Sequence, residues 1–145
     1  MFAIDTNILV YAHNSGASKH EAAKAFLQNA MNTKDENGKL SVCIPAQVLV
    51  EFMNVITGTR LEAPLSLRDA KIIVEDYLNS DAEIVYPKST QLVTLLNLLG
   101  SVKSRKKVFD VALAATLKDN GIQGLYTLNT SDFEGFAFLE VKNPF

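Results

Sequence analysis

Short apolar runs alternate with longer amphipathic segments along this chain of 145 residues, and no other feature constrains its fold as strongly. Four of the runs have the length and composition of buried strands: residues 2–5, 40–44, 82–86 and 124–129. Strands that alternate with helices favour a parallel sheet that is covered on both faces. We therefore predict a single α/β domain over residues 1–145, with a central parallel sheet flanked by helices.

The segments between these runs have helical periodicity and helix end signals. Ser18 followed by Glu21 predicts a capping box, and Ser66 predicts an N-cap. The predicted helices cover residues 6–13, 18–32, 45–58, 66–79, 89–100 and 106–121. The apolar helix over residues 89–100 is expected to pack in the core rather than to form an interface. Residues 136–141 are predicted to form an edge strand.

Composition and charge narrow the class of protein. The net charge of −2 gives no global basic field, although a local basic patch can still bind nucleic acid. The single cysteine, Cys43, cannot form an internal disulfide and is expected to be a buried structural thiol. No apolar run reaches about 18 residues, and the N-terminus lacks a signal-peptide pattern. We therefore expect a soluble, cytoplasmic protein with no membrane partner.

Four acidic residues stand in unusual places. Asp5, Glu51 and Asp110 interrupt apolar runs, and Asp132 follows the last strand in "LNTSDF". Each has a simpler interpretation, as a helix N-cap, an exposed helix position or a turn residue. An unpaired carboxylate is costly to bury, however, and ligands of parallel sheets bind beyond the carboxyl ends of the strands. We therefore expect the four acids to converge at that edge of the sheet.

Converging carboxylates need a cation. Two of them about 4 Å apart repel each other by roughly 4 kcal/mol at an effective dielectric constant near 20. Oxygen ligands without histidine or thiolate select Mg²⁺ or Mn²⁺. Such ions activate water for phosphodiester hydrolysis, so the pattern indicates a metal-dependent enzyme that cleaves phosphodiester bonds. Its candidate catalytic and metal-binding residues are Asp5, Glu51, Asp110 and Asp132.

A basic segment precedes one of these acids. "KSRKK" supplies four candidate RNA-binding side chains: Lys103, Arg105, Lys106 and Lys107. They could hold phosphates near the metal. A solvated loop and helix start is the simpler interpretation of the same segment. Cations at the start of a helix oppose its dipole, so local helix stability does not explain them.

The motifs that contain the acids resemble those of PIN-domain endoribonucleases, in particular the VapC-type toxins of bacterial and archaeal toxin–antitoxin pairs. The resemblance is carried, in the family's order, by "IDTNILVYA", "PAQVLVEF", "KVFDVALAAT" and "LYTLNTSDF". Each motif is weak by itself, whereas the ordered set is fairly specific and spans nearly the whole chain. It implies a single PIN-like domain and Mg²⁺- or Mn²⁺-dependent cleavage of single-stranded or looped RNA.

The resemblance also implies roles for individual residues. The metal-binding acids would be Asp5, Glu51 and Asp110, with Asp132 completing the site directly or through water. The residues that would orient or support them are Thr6, Asn7, Thr127 and Asn129. Many relatives carry an acid at the place of Asn129, so the fourth ligand and the number of metal ions stay open. The family further implies a homodimer and a small antitoxin that blocks the acidic site.

Two other functions remain compatible with these residues. A non-catalytic PIN-like module could hold RNA or a protein without cleaving RNA, although it has no need for a repulsive carboxylate cluster. A phosphatase of the haloacid dehalogenase type also begins with a strand and an aspartate. That family needs a second aspartate two residues later, where this chain has Asn7. Metal affinity of the purified protein distinguishes the binding module from the nuclease.

Overall fold

The computed structural model describes residues 1–102 and 108–145, which form five strands and six α-helices. The strands are β1 (Phe2–Ile4), β2 (Val42–Pro45), β3 (Glu83–Val85), β4 (Gly124–Tyr126) and β5 (Glu140–Lys142). The helices are α1 (Thr6–His13), α2 (His20–Asn32), α3 (Ala46–Ile56), α4 (Leu67–Leu78), α5 (Gln91–Leu98) and α6 (Val108–Asp119). Every strand pair is parallel, in the order β3-β2-β1-β4-β5. The predicted α/β fold with a central parallel sheet is confirmed.

The central strands are short and most of their side chains are buried. Ile4, Cys43, Ile44 and Leu125 are all 0% exposed, as expected where helices cover a parallel sheet. Around the sheet, α1 packs against α2 and α3, α3 packs against α4, and α5 packs against α6. Cys43 is a free, fully buried cysteine, which confirms the expected buried thiol, and burial raises its pKa to about 12.

The order of the strands creates a crevice at one edge of the sheet. The chain runs from β1 outward through β2 to β3 and then returns to the other side of β1 as β4. The direction of winding therefore reverses between β1 and β4. In parallel sheets this reversal opens a crevice beyond the carboxyl ends of the two strands, where ligands bind. Asp5 follows β1 at this point, and Thr127 follows β4.

The helix end signals had mixed outcomes. The Ser66 hydroxyl accepts a hydrogen bond from the Asp69 backbone N–H at 3.1 Å, so this N-cap is confirmed. The capping box at Ser18 is wrong, because α2 begins only at His20 and has no side-chain cap. Successive turns carry the chain past Ser18: the Ala17 N–H donates to the Asn14 carbonyl, and the His20 N–H donates to the Ala17 carbonyl.

Two further segments differ from the expectation. The predicted strand over residues 40–44 begins two residues later and includes Pro45, whose ψ of 138° is still extended. The expected core helix is only partly a core helix, because no residue of α5 is fully buried. Its Leu92, Val93 and Leu96 side chains are 66%, 63% and 59% exposed.

An edge strand is present as β5, which pairs with β4 at the rim of the sheet, but it begins at Glu140 and not at residue 136 as predicted. Residues 136–139 form a turn instead, in which the Leu139 N–H donates to the Phe136 carbonyl. Within residues 1–102 and 108–145, every helix is too short or too polar to traverse a lipid bilayer.

Candidate active site

Asp5 lies between β1 and α1, and three neighbours orient its carboxylate. Oδ1 accepts a hydrogen bond from the Thr6 backbone N–H at 2.7 Å, which makes Asp5 the N-cap of α1. Oδ2 accepts one from Asn7 Nδ2 at 3.0 Å and one from Thr127 Oγ1 at 2.6 Å. Asp5 is only 9% exposed. Burial raises its pKa, whereas the hydrogen bonds from Thr127 and Thr6 act in the opposite direction.

Glu51 lies on α3, half-buried, with both carboxylate oxygens hydrogen-bonded. Its Oε2 accepts a hydrogen bond from Thr6 Oγ1 at 2.9 Å. Its Oε1 accepts one from Gln47 Nε2 at 2.7 Å. Gln47 Nε2 also donates to the backbone carbonyl of Phe109 at 2.9 Å, which joins α3 to the first turn of α6. The carboxylate is therefore tied to α1 and, through Gln47, to α6.

Thr127 connects the ends of β1 and β4 beneath the carboxylate of Asp5. Thr127 is 0% exposed. Its hydroxyl accepts hydrogen bonds from Asn7 Nδ2 and the Asn129 backbone N–H, both at 3.0 Å. Asn7 Oδ1 in turn accepts one from the Leu128 backbone N–H at 3.2 Å. The four supporting residues predicted from the sequence thus all lie around Asp5 and Glu51.

A pocket of about 400 Å³ opens beside these side chains. The acidic residues of its lining are Asp5, Glu51, Glu62 and Asp110. Asn129 lines the pocket as well. Asp132 lies in the short 3₁₀ helix Thr130–Asp132, outside the lining, although its charge contributes to the raised pKa of Asp5. The structure therefore brings three of the four predicted acids to one pocket and leaves the fourth close behind it.

The donor chemistry of this pocket fits a hard divalent cation. Its candidate ligands are carboxylate oxygens and the amide oxygen of Asn129, and its described lining residues include no histidine or cysteine. Oxygen donors of this kind suit Mg²⁺ or Mn²⁺. In the described part of the chain, no three acidic, histidine or cysteine side chains lie close enough together to form a metal-binding group as they stand.

The predicted basic residues Lys103, Arg105, Lys106 and Lys107 lie outside the described residues, so their role in RNA binding stays a prediction.

The sequence interpretation also missed several residues of the site. Gln47 could have been found, because it lies four residues before Glu51 and so on the same helix face. Asn14, Arg60 and Glu62 carried no signal, because loop residues that meet only in the folded chain have no periodicity.

A second cavity of about 420 Å³ lies between α1, α2 and α4, at the other end of α1. Apolar side chains form much of its wall: Ala12, Leu27, Met31 and Ile73. His13 and Tyr77 also line it, and His13 Nε2 lies 2.8 Å from the Tyr77 hydroxyl. Burial lowers the pKa of His13, with a smaller contribution from the charge of His20. Of the predicted site residues that the structure describes, none lines this cavity.

Comparison with known proteins gives a consistent result. A family model described as "PIN domain" matches residues 2–139. Ribonuclease VapC24 of Mycobacterium tuberculosis is 28% identical over 146 residues, which cover 99% of this chain and 97% of that protein.

Among solved structures, VapC20 of Mycobacterium tuberculosis, described as a "Sarcin-Ricin loop cleaving toxin", has a TM-score of 0.69 and 18% identity. The match covers 99% of this chain and all of that one. A toxin–antitoxin complex from Klebsiella pneumoniae has a TM-score of 0.65 at 20% identity and covers 100% and 98% of the two chains. At these identities the two structures show the shared fold.

Proposed function

This chain belongs to the PIN-domain family, and we propose that it is an endoribonuclease, the toxin of a toxin–antitoxin pair. One observation supports this most strongly: Asp5, Glu51 and Asp110 come from distant parts of the chain and line one pocket at the carboxyl edge of the sheet. In a protein whose only role was to bind RNA, three carboxylates in the binding site would weaken the affinity, because RNA is a polyanion. The name of VapC24, a ribonuclease similar to this chain over nearly its whole length, supports the same reaction.

We place the active domain over residues 1–145 and its action in the cytoplasm. The family model ends at residue 139, but β5 (Glu140–Lys142) completes the sheet beside β4. The last strand therefore belongs to the same folded unit.

The cation in this proposal is Mg²⁺ or Mn²⁺, held by Asp5, Glu51 and Asp110, with Asn129 or Asp132 completing its ligands. When bound, such an ion lowers the pKa of water and stabilises charge on phosphate oxygens during hydrolysis. The protein's own contribution is to orient the carboxylates. Burial raises the pKa of Asp5, whereas the hydrogen bonds from Thr127 Oγ1 and the Thr6 backbone N–H act in the opposite direction, and Asn7 Nδ2 also holds Oδ2 in place.

Thr6 has two roles in the same arrangement. Its backbone N–H holds Oδ1 of Asp5, and its hydroxyl holds Oε2 of Glu51, so one residue sets the spacing of two acids. Gln47 fixes the remaining oxygen of Glu51. Hydrogen-bonded supports of this kind pre-organise ligands before a cation arrives.

We further propose two protein partners: an antitoxin and a second copy of this chain. The Klebsiella pneumoniae neighbour is a toxin–antitoxin complex, which supports the first. The exposed apolar face of α5, formed by Leu92, Val93 and Leu96, supports the second, because apolar patches of this kind mark interfaces.

Cleavage of a mixed RNA pool tests the proposed activity. Wild-type protein is incubated with Mg²⁺, with Mn²⁺ and with chelator, beside Asp5→Asn. We expect cutting that needs a divalent cation and is abolished by Asp5→Asn. Asp76→Asn serves as the matched control, because Asp76 is an exposed acid that lines the other cavity. We expect it to cleave like the wild type.

Two results would contradict the proposal. Cleavage by Asp5→Asn at the wild-type rate would exclude Asp5 from the reaction. If the folded wild type binds RNA but does not cleave it with either metal, the result would favour the non-catalytic binding module. Circular dichroism of each variant shows whether the fold is intact.

A further inference from the structure

Arg60 is the one basic side chain in the described lining of the acidic pocket. It lies in the loop between α3 and α4, and its side chain is exposed. Within the described residues it forms no ion pair and no side-chain hydrogen bond, although Glu62 is only two residues away. The guanidinium therefore remains available to an anion that enters the pocket.

The loop that carries Arg60 is held in place by a buried side chain. Asn14, at the end of α1, is 2% exposed. Its Nδ2 donates to Glu62 Oε2 at 2.7 Å, and its Oδ1 accepts from the Ala63 backbone N–H at 3.1 Å. This hydrogen bond makes the Glu62 carboxylate part of the loop anchor, and it is also the main cause of the lowered pKa of Glu62.

Close packing supports the same anchor. A Cβ added to Gly16 would lie 2.6 Å from Cβ of Glu62, so the chain after α1 approaches the loop as closely as a glycine permits. Leu61 and Leu65 pack against the hydrophobic core, and the Leu65 N–H donates to the Ile56 carbonyl at 2.9 Å. The loop is thus attached on both sides of Arg60, which reduces the entropy lost when Arg60 binds a ligand.

The charge of the pocket indicates which ligand Arg60 meets. The acidic residues of its lining include Asp5, Glu51 and Glu62, so an RNA backbone that approaches the pocket is repelled by them unless a cation meets its phosphates. A guanidinium matches a phosphate with two parallel hydrogen bonds. We propose that Arg60 is a substrate-binding residue that holds a backbone phosphate of the RNA at the rim of the acidic pocket. This inference rests on the proposed nuclease function.

A binding measurement without cleavage tests it. A fluorescent single-stranded RNA of mixed sequence is titrated in chelator with Asp5→Asn protein, with and without Arg60→Ala. We expect Arg60→Ala to weaken binding roughly tenfold for unrelated RNA sequences, because phosphate contacts carry no sequence information. The slope of log affinity against log salt should fall by about 0.7, the value for one phosphate contact on a single strand.

Lys39→Ala is the matched control, since it removes one exposed positive charge just before β2, at the opposite edge of the sheet. We expect it to leave affinity and salt slope unchanged. Arg60→Lys should recover part of the affinity and the whole slope, because lysine keeps the charge and loses the paired hydrogen bonds.

The outcomes separate this inference from the function on which it rests. If the wild type cleaves RNA and the Asp5→Asn protein binds it, equal affinity and slope for Arg60→Ala and Lys39→Ala would overturn only the role of Arg60. If neither cleavage nor binding occurs, both the proposed function and the role of Arg60 are wrong. In a cleavage assay, a raised KM at unchanged kcat is the expected signature of a contact made equally throughout the reaction.

Discussion

The two ends of α1 lie in two pockets of similar size, about 400 Å³ around Asp5 and about 420 Å³ around His13. Burial shifts both titratable groups toward the neutral form: it raises the pKa of Asp5 and lowers the pKa of His13. Their surroundings differ. Further carboxylates lie around Asp5, whereas His13 contacts the Tyr77 hydroxyl and lies in a pocket with mostly apolar walls.

This difference shows which kind of pocket indicates chemistry. His13 is satisfied by one hydrogen bond and by ring contacts with Phe52 and Tyr77, so its pocket is stable as it stands. The charges of Glu51 and Asp132 both contribute to the raised pKa of Asp5, so these acids repel one another and a positive ligand would stabilise them together. Size does not separate the two pockets, but the repulsion between like charges in one of them does. Four predictions test this contrast, from the largest expected effect to the smallest.

Glu51→Gln should reduce the rate of metal-dependent RNA cleavage by at least about 10²-fold, the range seen when a group that stabilises developing charge is removed. The substitution keeps the size of the side chain and the bond from Thr6 or Gln47, so the fold should persist. Single-turnover kinetics at saturating metal measure the effect. A change of less than threefold would show that the Glu51 carboxylate takes no part in the reaction.

Gln47→Ala should reduce cleavage by about 10-fold, because it removes the donor to Glu51 Oε1 without removing a candidate ligand. A positioning role also predicts partial rescue at high Mn²⁺ concentration, because Mn²⁺ can then still bind to a poorly oriented carboxylate. Rates measured across a Mn²⁺ titration check both parts. A uniform loss at every Mn²⁺ concentration would count against positioning and favour a purely structural role.

Tyr77→Phe should lower the free energy of unfolding by about 1 kcal/mol, because the partly buried His13 Nε2 loses its hydrogen-bond partner. Cleavage should be unchanged, since the substitution lies in the other pocket. Urea unfolding and the RNA assay on the same preparation measure the two effects. Lost cleavage in a stable, folded variant would contradict the separation of the two pockets.

The His13 pocket also predicts a dependence of stability on pH. Because burial lowers the folded-state pKa of His13 below 6.5, the unfolded chain binds more protons just below that pH. The contribution of neutral His13 is therefore complete above pH 6.5 and is lost as the pH falls toward its folded-state pKa. His13→Gln should flatten this part of the curve in urea unfolding from pH 5 to 8. An unchanged curve would show that His13 is not its source.

Much of the fold could be predicted from the sequence, because local signals agree with the sheet. The apolar runs gave β1 and β4 close to their observed places, and α1 was predicted with its observed bounds. The capping box at Ser18 failed because turns before α2 displaced the helix start. The partial exposure of α5 was missed because an apolar helix has the same composition whether it faces the core or a partner.

A site residue could be predicted where its place in the sequence, next to a strand or within an apolar segment, determines where it lies in the fold. Asp5 must lie at the carboxyl edge because it follows β1 directly. Glu51 and Asp110 could be proposed because they interrupt apolar patterns, and the pocket does contain both. Arg60 and Asn14 were not predictable, because their placement depends on how the loop after α3 packs against the end of α1.

Binding of Mn²⁺ to the protein without RNA tests most directly whether the carboxylates at this edge form a metal centre. Electron paramagnetic resonance counts free Mn²⁺ during a titration of wild type, Asp110→Asn and the control Asp76→Asn. We predict that Asp110→Asn weakens binding at least about 10-fold, whereas Asp76→Asn binds like the wild type. Equal Mn²⁺ affinity of all three proteins would contradict the assignment of the acidic pocket as the metal site.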